Sequence, residues 1–211
     1  MRKPIFRIVT VLISTIVSLL LYQNSSYAGI PSTYWLAFRN APISAVKHNS
    51  GGTTFNSAVS AAVSNWDLVT TKPAFSLAFD PGTNMGGDLH YWERDYNAYW
   101  AATWDGSFQP HIYVGSTLTA CVPMPAGWPF LPACSTTRTA YGHIRLNTYT
   151  AYTALGREVL AKHETGHALG LAHNGCYAWS LQGVMADAIF CQNKLTYIAQ
   201  HEADTVMTLF P

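Results

Sequence analysis

His163-Glu164-Thr165-Gly166-His167-Ala168-Leu169-Gly170-Leu171-Ala172-His173 is the stretch on which the reading of this 211-residue chain turns. It has the form H-E-x-x-H-x-x-G-x-x-H, and with this chain's own residue frequencies a chance match is on the order of one in 10⁵. On an α-helix His163 and His167 stand one turn apart, about 6 Å in rise and about 40° in angle, so both imidazoles can reach one ion. Along a continuing helix His173 would lie about 9 Å beyond His167 and on a different face. The chain must therefore bend back, and Gly170 is the residue there that takes a positive φ without strain and ends the helix. Glu164 points about 100° away from the His163 direction, which suits proton transfer beside a metal better than ligation. Three histidines leave a fourth tetrahedral position for water, whereas a closed structural zinc site normally has four protein ligands, often Cys. The pattern points to one catalytic Zn2+ on His163, His167 and His173, with Glu164 as general base.

Outward from this motif, Ala154 to Leu169 consists mostly of helix formers, with Leu155, Val159, Leu160 and Ala168 able to face a core. A terminal helix is expected from about Thr196, with Ile198, Val206 and Leu209 as its apolar positions. Phe55, Val59, Ala62 and Trp66 recur at helical spacing, so another helix should begin near Thr54, capped by Thr53 or Thr54. Phe75, Leu77 and Phe79 alternate with small or polar residues as in a half-buried strand ended by Asp80-Pro81-Gly82. Thr33 to Phe38, His111 to Val114 and His143 to Asn147 read as further strands, and Pro42 to Gly52 as a loop. Runs of strand and helix that do not alternate regularly make the chain α+β.

Composition narrows the function classes. The chain is 49% hydrophobic and 11% charged, too apolar to be disordered, and its length suits one domain. Twelve basic and eleven acidic residues give a charge of +1, which leaves no footprint for nucleic acid. Arg2, Lys3 and Arg7 precede an apolar run from Ile8 to Tyr22 and a small-x-small end at Ser26-Tyr27-Ala28, so residues 1–28 read as a secretory signal peptide. The run is shorter than the roughly 20 residues of a spanning helix, so no stable membrane insertion is expected after cleavage. The exported protein, 29–211, would be extracellular or periplasmic, a monomer, and slightly acidic. Its four cysteines then favour disulfides, and Cys121–Cys134 with Cys176–Cys191 is the pairing that closes the shortest loops. Four prolines between Cys121 and Cys134 leave no regular element there.

The eleven-residue motif resembles that of the metzincin zinc metallopeptidases, and within them the matrixin-like secreted enzymes. Gly183-Val184-Met185-Ala186 lies where the family has its Met-turn, with Met185 at the position of the methionine beneath the metal. Gly142 to Asn147 resembles the strand before the family's active-site helix. The resemblance implies an upper subdomain, about 29–173, with a twisted mixed sheet and two long helices. It also implies a small irregular lower subdomain, about 174–211, ending in a C-terminal helix. A protein or peptide substrate would lie extended along a sheet edge. Asp187 stands where some relatives carry a Tyr ligand. Gly86-Gly87-Asp88-Leu89-His90 resembles the stretch that holds an additional structural Zn2+ or Ca2+ in matrixins, although Trp92 replaces an expected acidic ligand. His48, His111, His143 and His201 have no motif around them and read as surface or core residues, and Glu158 as a solvated helix residue.

The function implied is a secreted zinc endopeptidase. The alternative is a non-catalytic, zinc-stabilised secreted binding protein or adhesin using Trp100, Trp104 and Trp128. A metallo-amidase acting on cell-wall peptides is a third reading.

Overall fold

The structure, a computed structural model, describes residues 36–38, 41–72, 74–82, 86–100, 105–121, 134, 138–173, 183–186 and 197–210, the side chains of 36, 99 and 100 excepted. Its elements in chain order are β1 (Leu36–Phe38), β2 (Ile43–His48), α1 (Asn56–Val69), β3 (Phe75–Asp80), β4 (Leu89–Arg94) and α2 (Tyr96–Trp100). They continue with β5 (Gly106–Val114), β6 (Thr117–Ala120), β7 (Arg138–Thr139), β8 (Tyr141–Asn147), α3 (Ala154–Ala168) and α4 (Gln200–Leu209). The fold is α+β with a mixed six-stranded sheet in the order β3-β2-β4-β8-β5-β6. β3, β2, β4 and β8 run parallel to one another, while β5 is antiparallel to both β8 and β6. β1 pairs separately with β7.

α1 and α3 pack against each other and share one apolar core with one face of the sheet. α1 buries Ala58, Val59, Ala62, Val63 and Trp66, the face that the helical spacing marks, and the Trp66 indole donates to the Lys162 carbonyl of α3 at 3.1 Å. Val159, Leu160 and Ala168 of α3 are buried, but Leu155 is 52% exposed. It lies in the first turn, before the helix enters the core, so its apolar character does not report burial.

Two expectations fail on this sheet. Ile43 to His48 is not loop but β2, held between β3 and β4 in parallel pairing. Its polar residues obscure it, because a parallel strand covered on both faces need not alternate. Lys47 is fully buried and meets Glu93 of β4 at 3.0 Å. The second failure concerns the α1 cap, since neither threonine side chain caps that helix. Glu93 instead accepts the backbone N–H groups of Thr54 at 2.8 Å and Phe55 at 2.9 Å. One carboxylate thus closes a helix start and neutralises a buried lysine.

The opposite face of the sheet carries a row of histidines. His90 and His143 are register partners on β4 and β8, and the His48 Nε2 lies 2.7 Å from the His90 Nδ1. The His143 and His111 ring centroids are 5.1 Å apart, and Trp92 stacks on His48 at 3.8 Å. Burial is the main cause holding all four rings below the ordinary histidine pKa, His90 to about 4 and His143 to about 3. The charges facing them are Asp80 and Lys47 at His48, Asp88 at His90, and Arg145 at His111 and His143.

The unfolded chain therefore binds protons first, at about pH 6.5. The row's contribution to stability is complete above that pH and is lost as pH falls toward the folded values. In urea denaturation of the metal-free protein, we expect the midpoint to drop between pH 7 and pH 5. The drop should be shallower in His143→Gln; equal slopes would contradict this account.

Candidate metal centre

α3 starts on Thr153, whose hydroxyl accepts from the Gly156 N–H at 3.1 Å, and every residue from Val159 to Ala168 is buried. The helix ends in a Schellman turn. The Leu171 N–H donates to the Gly166 carbonyl and the Gly170 N–H to the His167 carbonyl, each at 3.0 Å, with Gly170 at φ +92°. A Cβ on Gly170 would lie 3.1 Å from both Ala37 Cβ and Leu209 Cδ1, so both conformation and space require glycine there.

This reversal brings His173 back to the helix. Its Nε2 lies 3.1 Å from the Nε2 of His163 and 3.1 Å from that of His167. Three nitrogens held by one zinc in tetrahedral directions would be about 3.3 Å apart, so the residues present fit the ion. The other ring nitrogens set the tautomers. The His163 Nδ1 donates to the Val184 carbonyl and the His167 Nδ1 to the Leu171 carbonyl, each at 2.8 Å. Both Nε2 lone pairs are thereby turned toward the common centre. Burial and the neighbouring His163 and His173 keep His167 far below its ordinary pKa, in the neutral form that ligates. Among the described residues no other group of three His, Cys, Asp or Glu has ligand atoms this close together.

Beneath the centre lies the turn 183–186, with Met185 fully buried. Gly166, a helix-interior glycine with no role in the sequence reading, makes room for it: a Cβ there would run into the Met185 sulfur and lie 3.2 Å from Trp66 Cζ2. Glu202 of α4, also unforeseen, grips the turn. Its Oε1 accepts the Met185 N–H at 2.8 Å, and its Oε2 accepts those of Val184 at 3.2 Å and Ala199 at 2.9 Å. Because the Val184 carbonyl holds His163, Glu202 positions that ring through one intervening residue. A glycine at a costly helix position was a signal available for Gly166. An acidic residue on a terminal helix carries no such signal.

Glu164 is buried, with its Oε2 unpartnered among the described residues. Burial, aided by the negative charge of Asp105, pushes its pKa up to about 8. It lies against β5, where a Cβ on Gly106 would be 2.6 Å from its Oε1. Nothing local in the sequence marks Gly106 as the residue that meets Glu164, which is 58 positions away. Glu158 pairs with Lys162 at 2.6 Å, away from the three histidines.

Cys121 and Cys134 form a disulfide. Cys176, Cys191, Asp187, residues 1–28, and the Trp104 and Trp128 positions lie outside the described residues, as does the Trp100 side chain. In the candidate segment for an additional structural metal, Asp88 accepts the Ser44 N–H at 2.9 Å and His90 is engaged with His48. These two side chains do not converge with a third ligand among the described residues. Comparison with protein-family models and with curated proteins finds no match for the chain.

Replacing Glu202 with Ala leaves three buried N–H groups without their acceptor and loosens the turn whose Val184 carbonyl orients His163. We expect zinc affinity, measured by chelator competition, to fall about 10–100-fold with the far-ultraviolet circular dichroism retained. Gly166→Ala should lower unfolding stability by about 1–3 kcal/mol through overpacking against Met185 and Trp66.

Proposed function

We propose that this protein is a secreted zinc-dependent endopeptidase of metzincin type. The observation that carries the reading is the convergence of three imidazole nitrogens, two of the rings oriented by backbone carbonyls, together with a buried glutamate on the same helix whose second oxygen has no partner among the described residues. His163, His167 and His173 would hold the ion. When bound, zinc supplies Lewis-acid polarisation of a carbonyl and a lowered water pKa. Glu164 would take a proton from attacking water and deliver it to the departing amine. A cation at the three nitrogens opposes the burial effect on Glu164 and favours its ionised form, as a base requires.

Substrate placement is supported by β5. β6 pairs only with the His111–Val114 end of that strand, and the Cys121 N–H closes on the Pro110 carbonyl at 2.8 Å. On that side β6 does not extend to Gly106. Antiparallel alternation turns the main-chain groups of Gly106 away from β8, and Glu164 lies against that residue. An extended peptide adding itself there would bring its main chain alongside the centre. Export rests on the signal-like segment 1–28. No helix among the described residues is long and apolar enough to cross a membrane.

The test is digestion of a proteome-derived peptide library, read by mass spectrometry. Glu164→Gln should keep its zinc by metal analysis and lose about 10²–10⁴-fold in turnover. Chelation should abolish cleavage and added zinc restore it. Full turnover by the zinc-loaded variant, or no cleavage of any peptide by the native protein, would overturn the reading.

A further inference from the structure

The outer sheet face contains a feature that peptide hydrolysis does not use. A cavity of about 240 Å³ is lined by Ser50, Trp92, Arg94, Tyr96, His143 and Arg145. Glu93 is the acidic residue of the lining, and its oxygens are already taken by Lys47 and by the Thr54 and Phe55 N–H groups. Two buried nitrogens in the lining, Trp92 Nε1 and His143 Nε2, have no hydrogen-bond partner among the described residues. An indole nitrogen can only donate, and a neutral imidazole can donate from Nε2.

The walls are held in place by their own contacts. Trp92 and Arg145 are register partners on β4 and β8. The indole is fixed by stacking on His48 at an interplanar angle of 12°, and the Arg145 guanidinium by donation to the Gln109 side-chain oxygen. Donors that lack acceptors among the described residues, together with two guanidiniums, disfavour a metal cation and favour an anion. Two positive charges in one small cavity match a dianion better than a single carboxylate.

We propose that this cavity binds a tetrahedral oxyanion, phosphate or sulfate, free or carried on a larger molecule, through the Trp92 indole N–H, the His143 imidazole and the guanidiniums of Arg94 and Arg145. The anion supplies acceptors to two buried nitrogens that have none among the described residues. The site lies on the face of the sheet away from α1 and α3, so it acts apart from the three-histidine centre.

The experiment is titration of the ¹⁵N-labelled protein with inorganic phosphate and, separately, inorganic sulfate at constant ionic strength, following the indole N–H resonances. One resonance, missing in Trp92→Phe, should shift saturably. Arg145→Gln should weaken the response more than about tenfold, the loss of a charge-assisted hydrogen bond. Arg94→Gln, at an exposed side chain, should weaken it in a fold that is not at risk. No shift of the Trp92 resonance overturns the proposal. So does an equal shift with chloride or acetate, or an unchanged response in both arginine variants. The readout does not involve cleavage, so it stands or falls separately from the peptidase reading.

Discussion

Three imidazole lone pairs can meet at one point only if the chain reverses within a few residues of a helix end, and the centre depends on that reversal. Two of the rings come from successive turns of α3, whose spacing is given by helix geometry. The third arrives only because Gly170 adopts φ +92°. The same turn presents the Leu171 carbonyl to His167, so ending the helix and orienting a ring are one event. Close packing of Gly170 against Ala37 and Leu209 ties it in turn to β1 and α4.

Around this reversal, remote segments do the orienting. The Val184 carbonyl selects the tautomer of His163, and Glu202 holds Val184 and Met185 by their N–H groups. Gly166 lets Met185 approach α3, and Gly106 lets Glu164 lie against β5. A helix, a turn, a strand and a terminal helix thus each contribute one element of a small volume. Removing charge or adding a methyl at any of them acts on the histidines without touching them.

The sheet shows where pattern reading works and where it stops. β3, at the sheet edge, was legible because Phe75, Leu77 and Phe79 alternate. β2 and β4 were not, because Lys47, His48, His90 and Glu93 are buried polar residues inside central strands. Their polarity is compensated by partners from other strands, such as Glu93 for Lys47 and His90 for His48. Single-chain periodicity contains no term for such compensation. The histidine row is the same case: four residues without a motif become neighbours only when the strands carrying them pair.

Sequence alone determined the set of three histidines, the adjacent glutamate and the glycine that must turn the chain, because spacing on one helix is local geometry. It also identified the helical face of α1 and the methionine of the turn. Tertiary structure decided the ring tautomers, the burial that raises Glu164, the grip of Glu202, the room left by Gly106 and Gly166, and the cavity beside Trp92 and Arg145. Each of these depends on a hydrogen-bond partner or a close approach supplied by a segment far away in the chain, and no local pattern encodes which distant segments will meet.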